Sequence, residues 1–97
     1  MPRYVSLVDW TDQGIANFKE TVNRYEAAEK QFEGLGVKFV DVYWALGEHD
    51  IVAVIEAPDD ETATAALLAL GSQGNVRTKT MRVFSRDEMR AVIDKAP

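Results

Sequence analysis

The chain has no cysteine, a single histidine and only three prolines. Without cysteine it forms no disulfide, carries no thiolate nucleophile and offers no thiolate to a metal. Positive charge is also in deficit. Lys and Arg number 11 against 16 Asp and Glu, a formal net charge of −5. A chain of that sign lacks the basic face that neutralises phosphates, so neither nucleic acid nor an anionic membrane is an expected partner. No apolar run approaches the ~20 residues of a transmembrane helix. The opening stretch MPRYVSLVDWTD has no apolar segment of signal-peptide type, and a cytoplasmic protein is expected. Repeats, low-complexity tracts and linkers are lacking too.

What is present is one domain, residues 1–97, with 46% hydrophobic residues. That is enough for a real core, although a chain this short buries a limited share of its surface. Arg3 to Trp10 is rich in β-formers and reads as a strand. Thr11 and Asp12 are cap residues, and Ile15, Phe18, Val22, Tyr25 and Phe32 then recur at helical spacing. The pattern predicts one long amphipathic helix ended by Gly34 and Gly36. Val37 to Leu46 reads as a second strand, Gly47 to His49 as a turn, and Asp50 to Glu56 as a third strand. Pro58-Asp59-Asp60-Glu61 opens a second helix, with acids where the helix dipole favours them. Its buried stripe is Ala63, Ala66, Leu67 and Leu70, and Gly71 and Gly74 close it. Asn75 to Phe84 is a fourth strand. Ser85-Arg86-Asp87-Glu88 has the form of a capping box and starts a short last helix carrying Met89, Val92 and Ile93.

The order βαββαβ predicts an α+β ferredoxin-like sandwich: an antiparallel four-stranded sheet of order 4-1-3-2, helices on one face, and a C-terminal helix. Both sheet faces read as apolar. In the second strand, Val40, Val42, Trp44 and Leu46 are expected on one face and Val37, Phe39, Tyr43 and Ala45 on the other. The third strand is apolar from Ile51 through Ile55. Helices cover only one face, so the other needs a cover of its own. A second copy, sheet to sheet, is the simplest. The alternative is that the terminal helix folds across the open face of a monomer.

Four separated motifs carry a family resemblance: WTDQGI at Trp10–Ile15, YWALGEHDIV at Tyr43–Val52, EAPDD at Glu56–Asp60 and GNVRTKTMR at Gly74–Arg82. Together they resemble the GYD domain family across about the whole chain. The family is grouped with the dimeric α/β barrels, in which two ferredoxin-like sheets pair into a closed barrel. The resemblance therefore implies a homodimer or higher homo-oligomer. Gly47 and Asp50 match the signature, but His49 stands where the family usually has Tyr, so no role resting on that hydroxyl carries over. Related barrels include cofactor-free monooxygenases, haem-degrading enzymes, lactone isomerases and small-molecule sensors. Fold does not choose among them.

Topology points to one neighbourhood. The end of the first strand and the starts of the third and fourth meet at one edge of the sheet. That gathers Trp10, Thr11 and Gly14, the Glu48-His49-Asp50 turn, and Gly74, Asn75 and Arg77, with the N-terminus of the first helix beside them. A small apolar or anionic ligand could span the gap between the third and fourth strands, which flank the first and lie roughly 10 Å apart. His49 has the chemistry of a general base, though a lone histidine in a polar turn is ordinarily solvated. Asp50, its neighbour, is expected to point the other way and to accept backbone N–H groups. Thr11 reads as an N-cap rather than a nucleophile. Trp10, Tyr43 and Trp44 can line an apolar pocket within a barrel or simply pack. Arg77 fits either a carboxylate or phosphate contact or the guarding of an edge strand, and Lys79 fits the latter. One histidine beside Glu48 and Asp50 is not a usual ligand set, so no metal is expected. No phosphate loop, nucleophile elbow or HExxH occurs, and no cofactor is called for. Two classes stay open: a small-molecule binding or interaction module, or a cofactor-free enzyme acting on a small aromatic or polyketide-like substrate.

Overall fold

The computed structural model describes residues 1–97. Its strands are β1 (Arg3–Trp10), β2 (Lys38–Trp44), β3 (Ile51–Glu56) and β4 (Val76–Val83). The helices are α1 (Asp12–Ala16), α2 (Thr21–Glu33), α3 (Asp60–Ser72) and α4 (Arg86–Lys95). All pairings are antiparallel in the order β2-β3-β1-β4, the expected ferredoxin-like arrangement.

Local chemistry sets the element ends. The Asp59 carboxylate accepts the Thr62 N–H at 2.7 Å and starts α3. That backbone hydrogen bond holds its carboxyl below the usual value of 3.8. Ser85 and Glu88 form the reciprocal capping box of α4. The core lies between the sheet and α2 and α3, where Tyr4, Phe32, Val37, Ile55, Ala57, Ala63 and Ala66 are buried together.

Two expectations are corrected. The first helix is not continuous: α1 ends at Ala16, Asn17 leaves helical geometry, and a 3₁₀ turn at Phe18–Glu20 leads into α2. The faces of the second strand are also reassigned. Phe39 pairs with Ile55 but Asp41 pairs with Val54, so a bulge at Val40 shifts the alternation by one residue. Phe39, Val42 and Trp44 thereby share the helix side, and only Tyr43 of the aromatics faces the open side. Phe39 stacks on Phe32 at 5.1 Å, and Trp44 meets Tyr25 edge-on at 5.9 Å.

The open face of the sheet carries Val5 and Leu7, Val52 and Val54, Met81 and Val83, and Tyr43. The terminal helix does not cover it. No residue of α4 is buried, and Met89, Val92 and Ile93 stand exposed.

Candidate functional site

The junction at the end of β1 is built from three chain segments. Asp50 accepts the Trp10 backbone N–H at 2.9 Å, and its own N–H donates to the Val8 carbonyl at 3.1 Å. Its carboxylate therefore ties the turn to β1, a structural use. Thr11 caps α1 by accepting the Gly14 N–H at 3.1 Å, and its hydroxyl donates to the Gly74 carbonyl at 2.5 Å. The Thr11 N–H donates to the Asn75 carbonyl at 3.1 Å, and Gln13 Nε2 donates to Asn75 Oδ1 at 2.9 Å. With the hydroxyl of Thr11 in place, the N-terminus of this one-turn helix is not the open anion site anticipated from topology. Trp10 lies on the helix side, and its buried indole N–H has no hydrogen-bond partner.

His49 occupies the other side of the sheet. Its Nδ1 lies 3.1 Å from Asp9 Oδ1, and both side chains are partly shielded. The dyad partner is thus Asp9, not the adjacent Asp50. Asp9 is directly opposite Arg77 in the β1–β4 register, although no ion pair joins the two side chains. Arg77 also borders a shallow groove beside Leu67, Leu68 and Ser72. Tyr43 shares this face but sits on the far edge strand, three strand spacings or roughly 14 Å from β4. The seven residues singled out in sequence therefore form two groups. Trp10, Thr11, Asp50 and Asn75 meet at the junction, with Asp50 serving it structurally. His49 meets Asp9 on the open face, where Arg77 lies opposite Asp9 in register, and Tyr43 stands apart. No cluster of three or more His, Asp or Glu side chains that could hold a metal ion is present.

The sequence did not reveal a cleft beneath α2. It has a volume near 70 Å³ and lies between the helix side of the sheet and α2. Val8, Ala28, Phe39, Val42, Ile51 and Ala53 give it an apolar wall. Tyr25, Trp44, Leu70 and Val76 also line it, and although Thr21, Arg24, Gln73 and Asn75 border it, its exposed surface is almost wholly apolar. Burial, and then the hydrogen bond to Glu29 at 2.9 Å, push the Tyr25 phenol up. Trp44 is fixed by a 3.0 Å hydrogen bond from Nε1 to Thr21 Oγ1. Of Trp10, Tyr43 and Trp44, Trp44 alone lines this helix-side cleft. Two of its wall residues, Ala28 and Ala53, are small, but they lie on separate elements and no local sequence pattern links them.

Comparison with known proteins assigns the lineage. The GYD domain profile matches residues 4–93. The chain belongs to the GYD domain family. A Thermus thermophilus protein, the "glutamine synthetase and cystathionine beta-lyase binding protein", is 35% identical over 85 residues, which is 87% of this chain and 90% of that relative. Among solved structures, TTHA0845 from Thermus thermophilus is similar at a TM-score of 0.55 and 23% identity, covering 88% of this chain and 95% of that one. MtbAldR is similar at a TM-score of 0.60 and 13% identity, with 88% of this chain and 53% of that one aligned. At those identities the two structures bear on the fold alone. In this chain the junction and the cleft adjoin at Asn75, and the His49–Asp9 contact lies on the other side of the sheet.

Proposed function

We propose that this GYD domain is an interaction module that works as a homodimer, paired sheet to sheet, and binds another protein. The observation that carries the reading is the open apolar face left bare by α4. A patch of this kind on a small domain is a contact surface. Charge favours a second copy there. The whole chain is net −5, yet this face sets Arg3, Lys38, Arg77 and Lys79 against Asp9, Asp41 and Glu56. Two copies meeting on it avoid the repulsion they would feel elsewhere. A two-fold pairing would make the interface self-complementary and close the sheets into the barrel anticipated from the family resemblance.

Light scattering on the purified chain tests the dimer. A mass about twice the 10.8 kDa protomer is expected, and Val54→Lys should return it to a protomer with its circular dichroism intact. A wild-type protomer would overturn the reading. The name of the Thermus relative motivates the second step: purified glutamine synthetase and cystathionine β-lyase are the first partners to offer an immobilised dimer. Saturable binding to either supports the module, and binding to neither removes the support drawn from that relative.

A second reading, a cofactor-free enzyme, is favoured by one observation, the 3.1 Å His49–Asp9 contact. A carboxylate on Nδ1 can orient imidazole so that Nε2 serves as a base. In a dimer this corner would face the barrel interior. Co-purification of a small molecule in native mass spectrometry, lost in His49→Ala, would move the balance to this reading. An unchanged ligand, or none, would leave it without support.

A further inference from the structure

We propose that the free edge of β4 is where the partner protein docks, by adding an extended segment of alternating apolar and acidic residues to the sheet as a further strand. This rests on the protein-binding reading above and names its surface. β4 ends the sheet, so one side of its backbone pairs with β1 and the other side pairs with no strand. The ladder itself shows which groups are free. Thr11 and Asn75 continue the β1–β4 register, and the Thr11 N–H donates to the Asn75 carbonyl at 3.1 Å. In an antiparallel pair, opposed residues that exchange hydrogen bonds alternate with opposed residues that do not. Arg77, Lys79, Met81 and Val83 therefore bond to β1, while the N–H and C=O groups of Val76, Thr78, Thr80 and Arg82 point outward. No turn or loop of the chain bonds to them. Such a row is a template for strand addition.

The two sides of the edge specify the strand it accepts. On the helix side lies the groove between α3 and β4, with a volume near 400 Å³, walled by Leu67, Leu68, Gly71, Val76 and Thr78. Leu68 is 69% exposed, and positions 62–76 carry no charge. Every second side chain of an added strand would face that groove and should be apolar. The intervening ones would fall beside Arg77 and Lys79, which are exposed and form no ion pair within the protomer. In a chain of net −5, two unpaired cations on an edge strand match acidic residues. The same charges turn away a second copy. Two β4 edges laid together would set one basic pair against another. The other edge strand, β2, is interrupted by the bulge at Val40 and offers Asp41 as its one acid. Because β4 is outermost, its edge lies beside a sheet-to-sheet contact rather than within it.

The test titrates the ¹⁵N-labelled full chain with two short peptides, one alternating valine with glutamate and one alternating valine with lysine. The glutamate peptide should bind saturably, shift the Thr78 and Thr80 amides and slow their exchange with solvent. It should bind about tenfold or more tightly than the lysine peptide. Thr78→Pro removes an outward N–H but no bond to β1, a change that edge strands tolerate, and should abolish binding with circular dichroism intact. Lys79→Glu should erase the preference between the peptides. No saturable shift at Thr78 and Thr80 would overturn the proposal. So would equal affinity for the two peptides in the wild-type chain, a comparison that needs no variant to fold. Protection of these amides without peptide, lost on dilution, would show a second copy on the edge and overturn it too. Binding should persist in Val54→Lys, so that the edge and the dimer are read separately; loss there would place the peptide on the sheet face, against the proposal. A whole partner still bound by the Thr78→Pro dimer would leave the interaction module standing and remove the edge from it.

Discussion

Gly14 lies so close to the backbone of Asn75 that a Cβ at position 14 would stand 1.9 Å from the Asn75 carbonyl oxygen. The glycine is required by close approach, since its neighbours are backbone atoms that no rotamer change can move. The same carbonyl accepts the Thr11 N–H, so α1 is seated directly on the start of β4. Gly14→Ala should pry the two apart and lower stability by about 2–3 kcal/mol, the scale of forced overpacking. Urea unfolding with an unchanged slope and a lower midpoint would show it. An unshifted midpoint would mean that the junction yields without cost.

Asp50 makes a related prediction. Its carboxylate is a charged acceptor for the Trp10 N–H at 2.9 Å, and hydrogen bonds to charged groups contribute about 1.5–3 kcal/mol. Asp50→Ala should cost about that much and fray the end of β1 in hydrogen exchange. Asp50→Asn, which keeps an acceptor, should cost less. If both variants lose activity or partner binding without losing stability, the assignment of Asp50 to a structural role fails.

The strand order, the caps and the two-faced sheet were legible because each rests on a local rule, such as a cap residue followed by helix formers, whereas Gly71 does not close α3, which runs on to Ser72. What escaped depends on register. A bulge at Val40 has no compositional mark, yet it moves Phe39, Val42 and Trp44 to the helix side together. The helical periodicity through Phe18 conceals the break at Asn17, which goes with the fitting of Gly14 against β4. Likewise Asp9 meets His49 only once β1 and β3 are aligned residue by residue, whereas sequence adjacency drew attention to Asp50. The cleft is an absence of side-chain volume between two distant elements, and nothing local announces it.

Tyr4 sets the behaviour of the fold in alkali. Burial first, and then the hydrogen bond its hydroxyl donates to Asp60, push its phenol from 10.0 up to about 12. The folded state therefore holds the Tyr4 proton more tightly than the unfolded chain does. The stabilisation is complete below pH 10 and is lost as pH rises through the folded value near 12. Thermal midpoints should accordingly fall between pH 10 and 12, and Tyr4→Phe should flatten that limb. A wild-type midpoint that is level across this interval would contradict the linkage.

The terminal helix offers a test of what the sheet needs from its surroundings. Within the protomer α4 is held by its own capping box, by Arg82 to Glu88 at 3.6 Å, and by Arg82 over the Phe84 ring at 4.4 Å. It buries no residue against the core, and exposed ion pairs contribute little. Removing residues 86–97 should leave the sheet folded and lower the thermal midpoint of the dilute protein by about 4 °C or less, the equivalent of under ~1 kcal/mol in a domain of this size. A larger loss that grows with protein concentration would mean that Met89, Val92 and Ile93 are buried between copies, because only an assembled state makes stability depend on concentration. In that case the stripe on α4 and the open sheet face would be parts of one interface.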